Sequence, residues 1–216
     1  MPGMSIISFC SFTSPFLVYA EKKGDDMPST DALSAIFTRR SMRGISSRPI
    51  DGSTIHTLLR AAFSAPAAEN AHTRRFIVIT NRNALDTLPA LHPSAEPARQ
   101  SPLSILVCCD TSIEPQTLFW PQDCAVATQN IMLAARAMGL GSLWCGIHPL
   151  EAREKAFISA FSLPGTVRPV SLVILGYPLQ SFFEKDLYDD HAVFSNLWGK
   201  SYRPKQEEDS SQNVPL

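Results

Sequence analysis

The chain lacks the short signatures of the best-known hydrolases and nucleotide-binding enzymes. No G-x-S-x-G elbow, phosphate-binding P-loop or H-E-x-x-H helix occurs in its 216 residues, which removes the reactions those motifs carry. There is no C-x-x-C pair and no Cys/His set with zinc-ligand spacing, so no metal site is expected. The five cysteines are Cys10, Cys108, Cys109, Cys124 and Cys145. Cys108 and Cys109 are neighbours in an apolar run that reads as a strand, so their side chains point to opposite faces. The cysteines read as small buried hydrophobes in a reducing, cytoplasmic setting. An excess of charge is missing too. Nineteen Lys+Arg against 20 Asp+Glu leave a net charge of −1, which gives no general pull toward nucleic acid or an anionic membrane. Any anion must be held by a local basic cluster. No run of the chain suits a membrane span: residues 6–20 are apolar, but the run is short and broken by Ser, Thr and Pro. Val18-Tyr19-Ala20 looks like a signal-cleavage end, yet no Lys or Arg precedes the run. Residues 1–27 are therefore read as an N-terminal extension, 28–200 as one domain and 201–216 as a polar tail.

What is present is enough apolar material for a core (44%, with 18% charged residues) arranged as helices alternating with apolar strands. Ser29-Thr30-Asp31 offers a helix start, followed by Leu33, Ile36 and Phe37 on one face. A second helix follows Asp51, with Ile55, Leu58, Leu59, Ala62 and Phe63 at helical spacing, and ends before Pro66. Residues 76–80 and 103–109 read as buried strands, with a short helix and a loop between them. A long helix with apolar residues on most faces is predicted over 123–138, stopped by Gly139-Leu140-Gly141. Strands are predicted over 142–147 and 167–176. Between them the spacing predicts a helix over 149–161 that begins at its proline. The aromatics beyond Ser181, among them Phe182, Phe183, Tyr188, Phe194 and Trp198, pack either on their own domain or across a partner subunit as an exchanged arm.

Three segments carry possible chemistry. In Arg39-Arg40-Ser41-Met42-Arg43, three guanidiniums and a hydroxyl lie within five positions. The planar Arg fork meets phosphate oxygens bidentately, so this turn is either an anion clamp or a solvated helix end. In the second, Ala65-Pro66-Ala67-Ala68-Glu69-Asn70-Ala71-His72, small residues allow a flat ligand near the backbone, and Asn70 offers both donor and acceptor; the plain alternative is a helix-to-strand loop. In the third, Gly139 to Ile147, a G-x-G is present, but Trp144 stands where the dinucleotide fingerprint needs glycine, and a helix rather than a strand precedes it. It serves either as a helix stop and core strand or as backbone N–H groups near Cys145 and Gly146 facing a ligand.

Together these segments resemble the nitroreductase family of flavoproteins. The turn Arg39-Arg40-Ser41-Met42-Arg43 resembles its R-[RH]-S-x-R. Residues 65–76 match A-P-S-A-x-N-x-Q-P-W-R-F in part, with Ala67, His72, Thr73 and Arg74 in place of Ser, Gln, Pro and Trp. Asp123 to Ala135 resembles its Q-N-x-x-L-A-A helix, Gly139 to Pro149 its G-L-G-S-x-W-x-G-I-x-P, and Leu175 to Pro178 its L-G-Y-P. The resemblance covers about residues 32–198. It implies an α+β fold with a central, mostly antiparallel or mixed sheet flanked by helices, as a homodimer with an exchanged C-terminal arm. It implies bound FMN, its phosphate held by Arg39, Arg40, Ser41 and Arg43, with Lys185 adding charge and Asp186 standing where many relatives are basic. Pro66, Ala67, Ala68, Asn70 and His72 would border the ring or ribityl chain, with the Asn70 contact coming from the second subunit. The backbone at Cys145 and Gly146 would lie near flavin N5. Hydride would pass from NADH or NADPH to the flavin and on to a quinone, nitroaromatic or similar small-molecule acceptor by a ping-pong mechanism, with no dedicated acid or base. Two other readings share these residues: a flavoenzyme with dehalogenating or flavin-cleaving chemistry, and a non-enzymatic flavin-binding protein.

Overall fold

The computed structural model describes residues 31–113 and 118–202. Cys10, the N-terminal extension with Ser29 and Thr30, and all of the polar tail beyond Tyr202 lie outside the described residues. The described elements run α1 (Ala32–Thr38), α2 (Gly52–Phe63), β1 (Arg74–Ile79), α3 (Arg82–Leu91), β2 (Leu103–Asp110), α4 (Trp120–Ala137), β3 (Gly141–Gly146), α5 (Glu151–Ala160) and β4 (Val167–Gly176). The strands form one antiparallel sheet in the order β1-β2-β4-β3.

The sheet is covered on both faces, as its nearly continuous apolar central strands require. Ile105, Val107 and Cys109 of β2 pack with Val173 and Leu175 of β4 against α2 and α4. Leu106, Cys108, Leu172 and Ile174 meet Leu85 and Leu88 of α3 and Phe157 of α5 on the other face. Cys108 and Cys109 thus fall on opposite faces, as the period of a strand dictates. Asp51 caps α2 by accepting from the Thr54 N–H at 2.7 Å, and Asp31 caps α1 by accepting from Ser34 N–H at 2.9 Å.

Several elements depart from the sequence pattern. β1 starts two residues early, and as an edge strand it is only half-buried, so its apolar run does not mark a central strand. The apolar face of α1 is not covered among the described residues: Leu33, Ile36 and Phe37 are exposed. α4 begins at Trp120, with Pro121 in its first turn, because proline gives up no helical hydrogen bond there. Pro149 does not begin α5; it follows a cis peptide bond after His148, and the helix starts two residues later.

The turn after α1 is fastened to the edge of the sheet. Met42 N–H donates to Ser142 O at 2.9 Å, Ser46 N–H to Tyr177 O at 2.9 Å and Leu179 N–H to Gly44 O at 3.0 Å. Gly141 makes this approach possible: a Cβ there would stand 3.0 Å from Met42 Cβ and 3.2 Å from Pro178 Cβ.

Candidate active site

The end of α1 is fixed from α4. Arg136 Nε donates to Thr38 Oγ1 at 2.8 Å, and its guanidinium lies over the Phe182 ring at 4.0 Å. The next residues, Arg39 and Arg40, are thereby held beside the segment that begins at Ser181. A cleft of about 410 Å³ there is lined by Arg39, Arg40, Ser41, Gln180, Phe183 and Lys185, among others. It is joined by a second cleft of about 540 Å³ that shares Arg39, Arg40 and Lys185 and is also bordered by Glu184 and Asp186. Four of the expected anion-binding residues, 39, 40, 41 and 185, therefore meet in one place, although Lys185 is far away in sequence.

The cleft brings three cationic side chains, Arg39, Arg40 and Lys185, beside two carboxylates, Glu184 and Asp186. Neither Arg39 nor Arg40 is ion-paired with a carboxylate among the described residues. Burial and the neighbouring Arg40 charge together lower the Arg39 pKa. Arg40 Nη1 donates to Arg39 O at 2.9 Å, while its Nε and Nη2 are buried with no hydrogen-bond partner. Buried charged donors left unpartnered are costly, a cost that an oxyanion partner would relieve. Arg43 is not part of this group. It lines a separate cleft with Glu96, Pro97, Arg99 and Gln100, and its charge is felt by the Cys145 thiol.

β3 carries the backbone at Cys145 and Gly146. The Cys145 side chain is turned into the core. Burial pushes its thiol up to about 11, against smaller opposing effects of Arg153 and Arg43, so it is a neutral thiol at neutral pH. Only the main chain of these residues is available to a ligand. The Gly146 carbonyl faces away from β4, because it accepts from His92 Nε2 at 3.0 Å and from Arg153 Nη1 at 2.8 Å. N–H and C=O of one residue point the same way in an antiparallel strand, so the Gly146 N–H also faces outward. A Cβ on Gly146 would meet nothing within 4 Å, which leaves open space over the sheet face at this residue.

The loop 65–72 is shaped from below by two buried charges. Arg74 Nη1 donates to Ala65 O at 2.7 Å and to Pro66 O at 3.3 Å, and Asp123 Oδ1 accepts from Ala68 N–H at 3.0 Å. Glu69 and Asn70 are both left-handed, with φ of 53° and 56°, a conformation sparsely populated without glycine. The side chains of Asn70 and His72 are exposed and unpartnered among the described residues. This loop does not line the basic cleft within its own chain. It meets the first turn of α4, where Trp120 packs against His148 with ring centroids 4.6 Å apart and planes tilted by 59°, so α4 ties loop 65–72 to the end of β3.

The sequence profile of the Nitroreductase family matches residues 36–108 and 110–177. The chain belongs to the nitroreductase family. A protein of Methanothermobacter thermautotrophicus, provisionally named NADH dehydrogenase/NAD(P)H nitroreductase, is 40% identical over 168 residues, 78% of this chain and 88% of its own. The FMN reductase [NAD(P)H] of Bacillus subtilis is 20% identical over 181 residues, 76% of this chain and 72% of its own. A crystal structure from Parabacteroides distasonis, of a protein carrying the same provisional name as the archaeal relative, superposes with a TM-score of 0.74 at 33% identity. It covers 77% of this chain and 98% of its own.

His92 and Arg153 hold the end of β3, and Arg74 and Asp123 hold the loop 65–72; sequence reasoning did not assign them. Arg74 carried a signal, as an arginine where the family pattern has Trp. His92 carried none, because its partner lies 54 residues away. Among the described residues no cluster of His, Cys, Asp or Glu could hold a metal ion, and no helix is long and apolar enough to cross a membrane.

Proposed function

We propose that this chain is a cytoplasmic, homodimeric FMN-dependent oxidoreductase that passes hydride from NADH or NADPH to quinones, nitroaromatics or similar acceptors by a ping-pong mechanism. The observation that carries the reading is the basic cleft: Arg40 holds two buried, unpartnered donors beside Arg39, Ser41 and Lys185, at one end of an edge strand with an open glycine at its other end. The names of the archaeal and B. subtilis relatives include NAD(P)H, and that of the latter FMN. Bound FMN would supply the redox chemistry, taking hydride at N5 and giving it up again.

The chain's own part is binding and electrostatics. Arg39, Arg40, Ser41 and Lys185 would hold the phosphate by charge-assisted bonds. Arg43, set apart from them and close enough to act on Cys145, suits the N1–C2=O edge of the ring, where negative charge builds up on reduction. The outward Gly146 N–H would border N5. Pro66, Ala67, Ala68, Asn70 and His72 of a second copy would close the ring and ribityl side, which explains why this loop is absent from the cleft of its own chain. Leu187 and Trp198, 70% and 89% exposed, and the open face of α1 are apolar surface for such a copy to cover.

The visible spectrum of the purified protein, with and without added FMN, followed by turnover with NADH or NADPH and menadione, tests this reading. Flavin bands and alternating half-reactions are expected. Flavin that stays oxidised under nicotinamide refutes the reaction, and no uptake of FMN refutes the site. Truncation before Ser181 is expected to give monomers or aggregates that lose flavin; a truncated dimer that keeps it refutes the exchanged arm.

A further inference from the structure

One backbone carbonyl is held with more force than its place in the fold requires. Gly146 is the last residue of β3, and β3 is an edge strand. Its carbonyl nevertheless accepts two side-chain bonds, from His92 at the end of α3 and from Arg153 in α5. His92 is 3% exposed. Its Nδ1 accepts from Ser94 N–H at 3.0 Å, which leaves the ring proton of the neutral imidazole on Nε2, facing Gly146. Burial lowers the His92 pKa, with the Arg153 charge acting the same way, so the imidazole stays neutral and donates one fixed bond. The second donor is a full cation.

A glycine at a strand end has the widest backbone freedom of any residue. Two donors on its carbonyl hold the peptide plane that follows Gly146. Its N–H lies in the preceding plane, held by the pairing of β3 with β4. Both planes that meet at the Gly146 Cα are thus fixed, and the N–H leaves the strand on the same side as the carbonyl. The Arg153 charge reaches this peptide's neighbours: it acts on both the Cys145 thiol and the His92 ring. A positive potential fixed beside an open, outward N–H favours a ligand that gains electrons there.

We infer that His92 and Arg153 are positioning residues that aim the Gly146 N–H at the redox ring, and that the Arg153 charge sets the ease with which that ring is reduced. The inference rests on the flavin reading above. Neither residue needs to touch the cofactor; both act on the Gly146 carbonyl, and so on the N–H across the glycine's Cα.

The test uses the FMN-loaded full chain with Arg153→Gln, Arg153→Lys and His92→Gln. Arg153→Gln keeps a donor and removes the charge. It is expected to make two-electron reduction about tenfold less favourable, about 30 mV on the midpoint potential, while affinity for oxidised FMN, anchored at the phosphate end, stays at the wild-type level. Arg153→Lys keeps the charge and is expected to hold the potential near the wild-type value. With FMN bound, where the Gly146 N–H gains an acceptor on the ring, His92→Gln and Arg153→Gln are expected to speed hydrogen exchange of the Gly146 amide severalfold. A wild-type potential in Arg153→Gln with FMN bound overturns the inference and leaves the flavin reading standing. Unchanged Gly146 exchange in both variants overturns the positioning role. Failure of the wild-type chain to take up FMN overturns the reading itself, and the inference with it.

Discussion

Replacing Arg40 by Met separates a ligand-binding arginine from a structural one, because the two roles predict different responses with and without FMN. In the FMN-free protein the substitution removes one bond to Arg39 O, at 2.9 Å, and a cation–π contact with Phe183 at 5.3 Å. Together these are worth about 2–4 kcal/mol. It also removes two buried donors with no partner, each costing about 1–3 kcal/mol, and the repulsion felt by Arg39. Gains and losses cancel to within about 2 kcal/mol, so urea unfolding of the FMN-free protein should barely change. On the proposed reading the Arg40 guanidinium would turn these two donors to the phosphate oxygens when FMN binds. Losing a charge-assisted contact costs about 1.5–3 kcal/mol, which is a rise in Kd of about tenfold to a hundredfold. The assay is quenching of flavin fluorescence at several salt concentrations, beside urea melts of the FMN-free protein. The salt dependence of binding should also weaken, since one cation has left the cleft. Unchanged FMN affinity refutes the reasoning, and so does a large loss of stability without FMN.

Three further outcomes are expected. Gly176→Ala should destabilise by about 1–3 kcal/mol and weaken FMN binding, because its Cβ would overlap Ile45 Cγ2 and crowd Pro102 Cδ at 3.1 Å, displacing the segment that carries Arg43; a calorimetric scan with FMN titration checks both. Arg74→Met should cost about 2 kcal/mol in urea by leaving the Ala65 and Pro66 carbonyls without their charged donor; no loss would mean that Asp123 alone fixes the loop. His92 has a folded pKa below its unfolded value near 6.5, so the folded state resists its protonation. Its contribution to stability is present above pH 6.5 and is lost as pH falls toward the folded value. His92→Gln should flatten that limb of a pH series of urea midpoints, and an unaltered limb would place the titration elsewhere.

Local patterns in the sequence carried most of the fold. The spacing of Leu58 and Ala62 in α2 and the apolar run of β2 each report burial on one element, and both elements formed as expected. The misreadings have a shared physical origin. Residues 76–80 are as apolar as a central strand, but whether β1 sits at the edge is decided by the order β1-β2-β4-β3, which no local pattern encodes. Leu33, Ile36 and Phe37 lie on one helical face as spacing requires, yet a pattern names a face and not what covers it. The same limit explains the site. Arg39, Arg40 and Ser41 were legible because they are consecutive, and Lys185 only through the resemblance. The supports His92 and Arg153 converge on Gly146 from two helices, and nothing in either helix marks them.

This division of labour follows from what each residue must do. A phosphate clamp needs several charges close together on a short piece of chain, so it leaves a compact trace such as Arg39-Arg40-Ser41. Aiming a single N–H needs rigidity, and rigidity at an edge strand comes from separate elements packed against it: α3 through His92 and α5 through Arg153. The loop 65–72 needs the same support, from Arg74 on β1 and Asp123 on α4, because its left-handed Glu69 and Asn70 are unfavourable in isolation. Two buried charges placed under a loop whose exposed Asn70 and His72 have no partner among the described residues are hard to explain as packing. They are what a preformed surface requires if its contacts lie on another molecule.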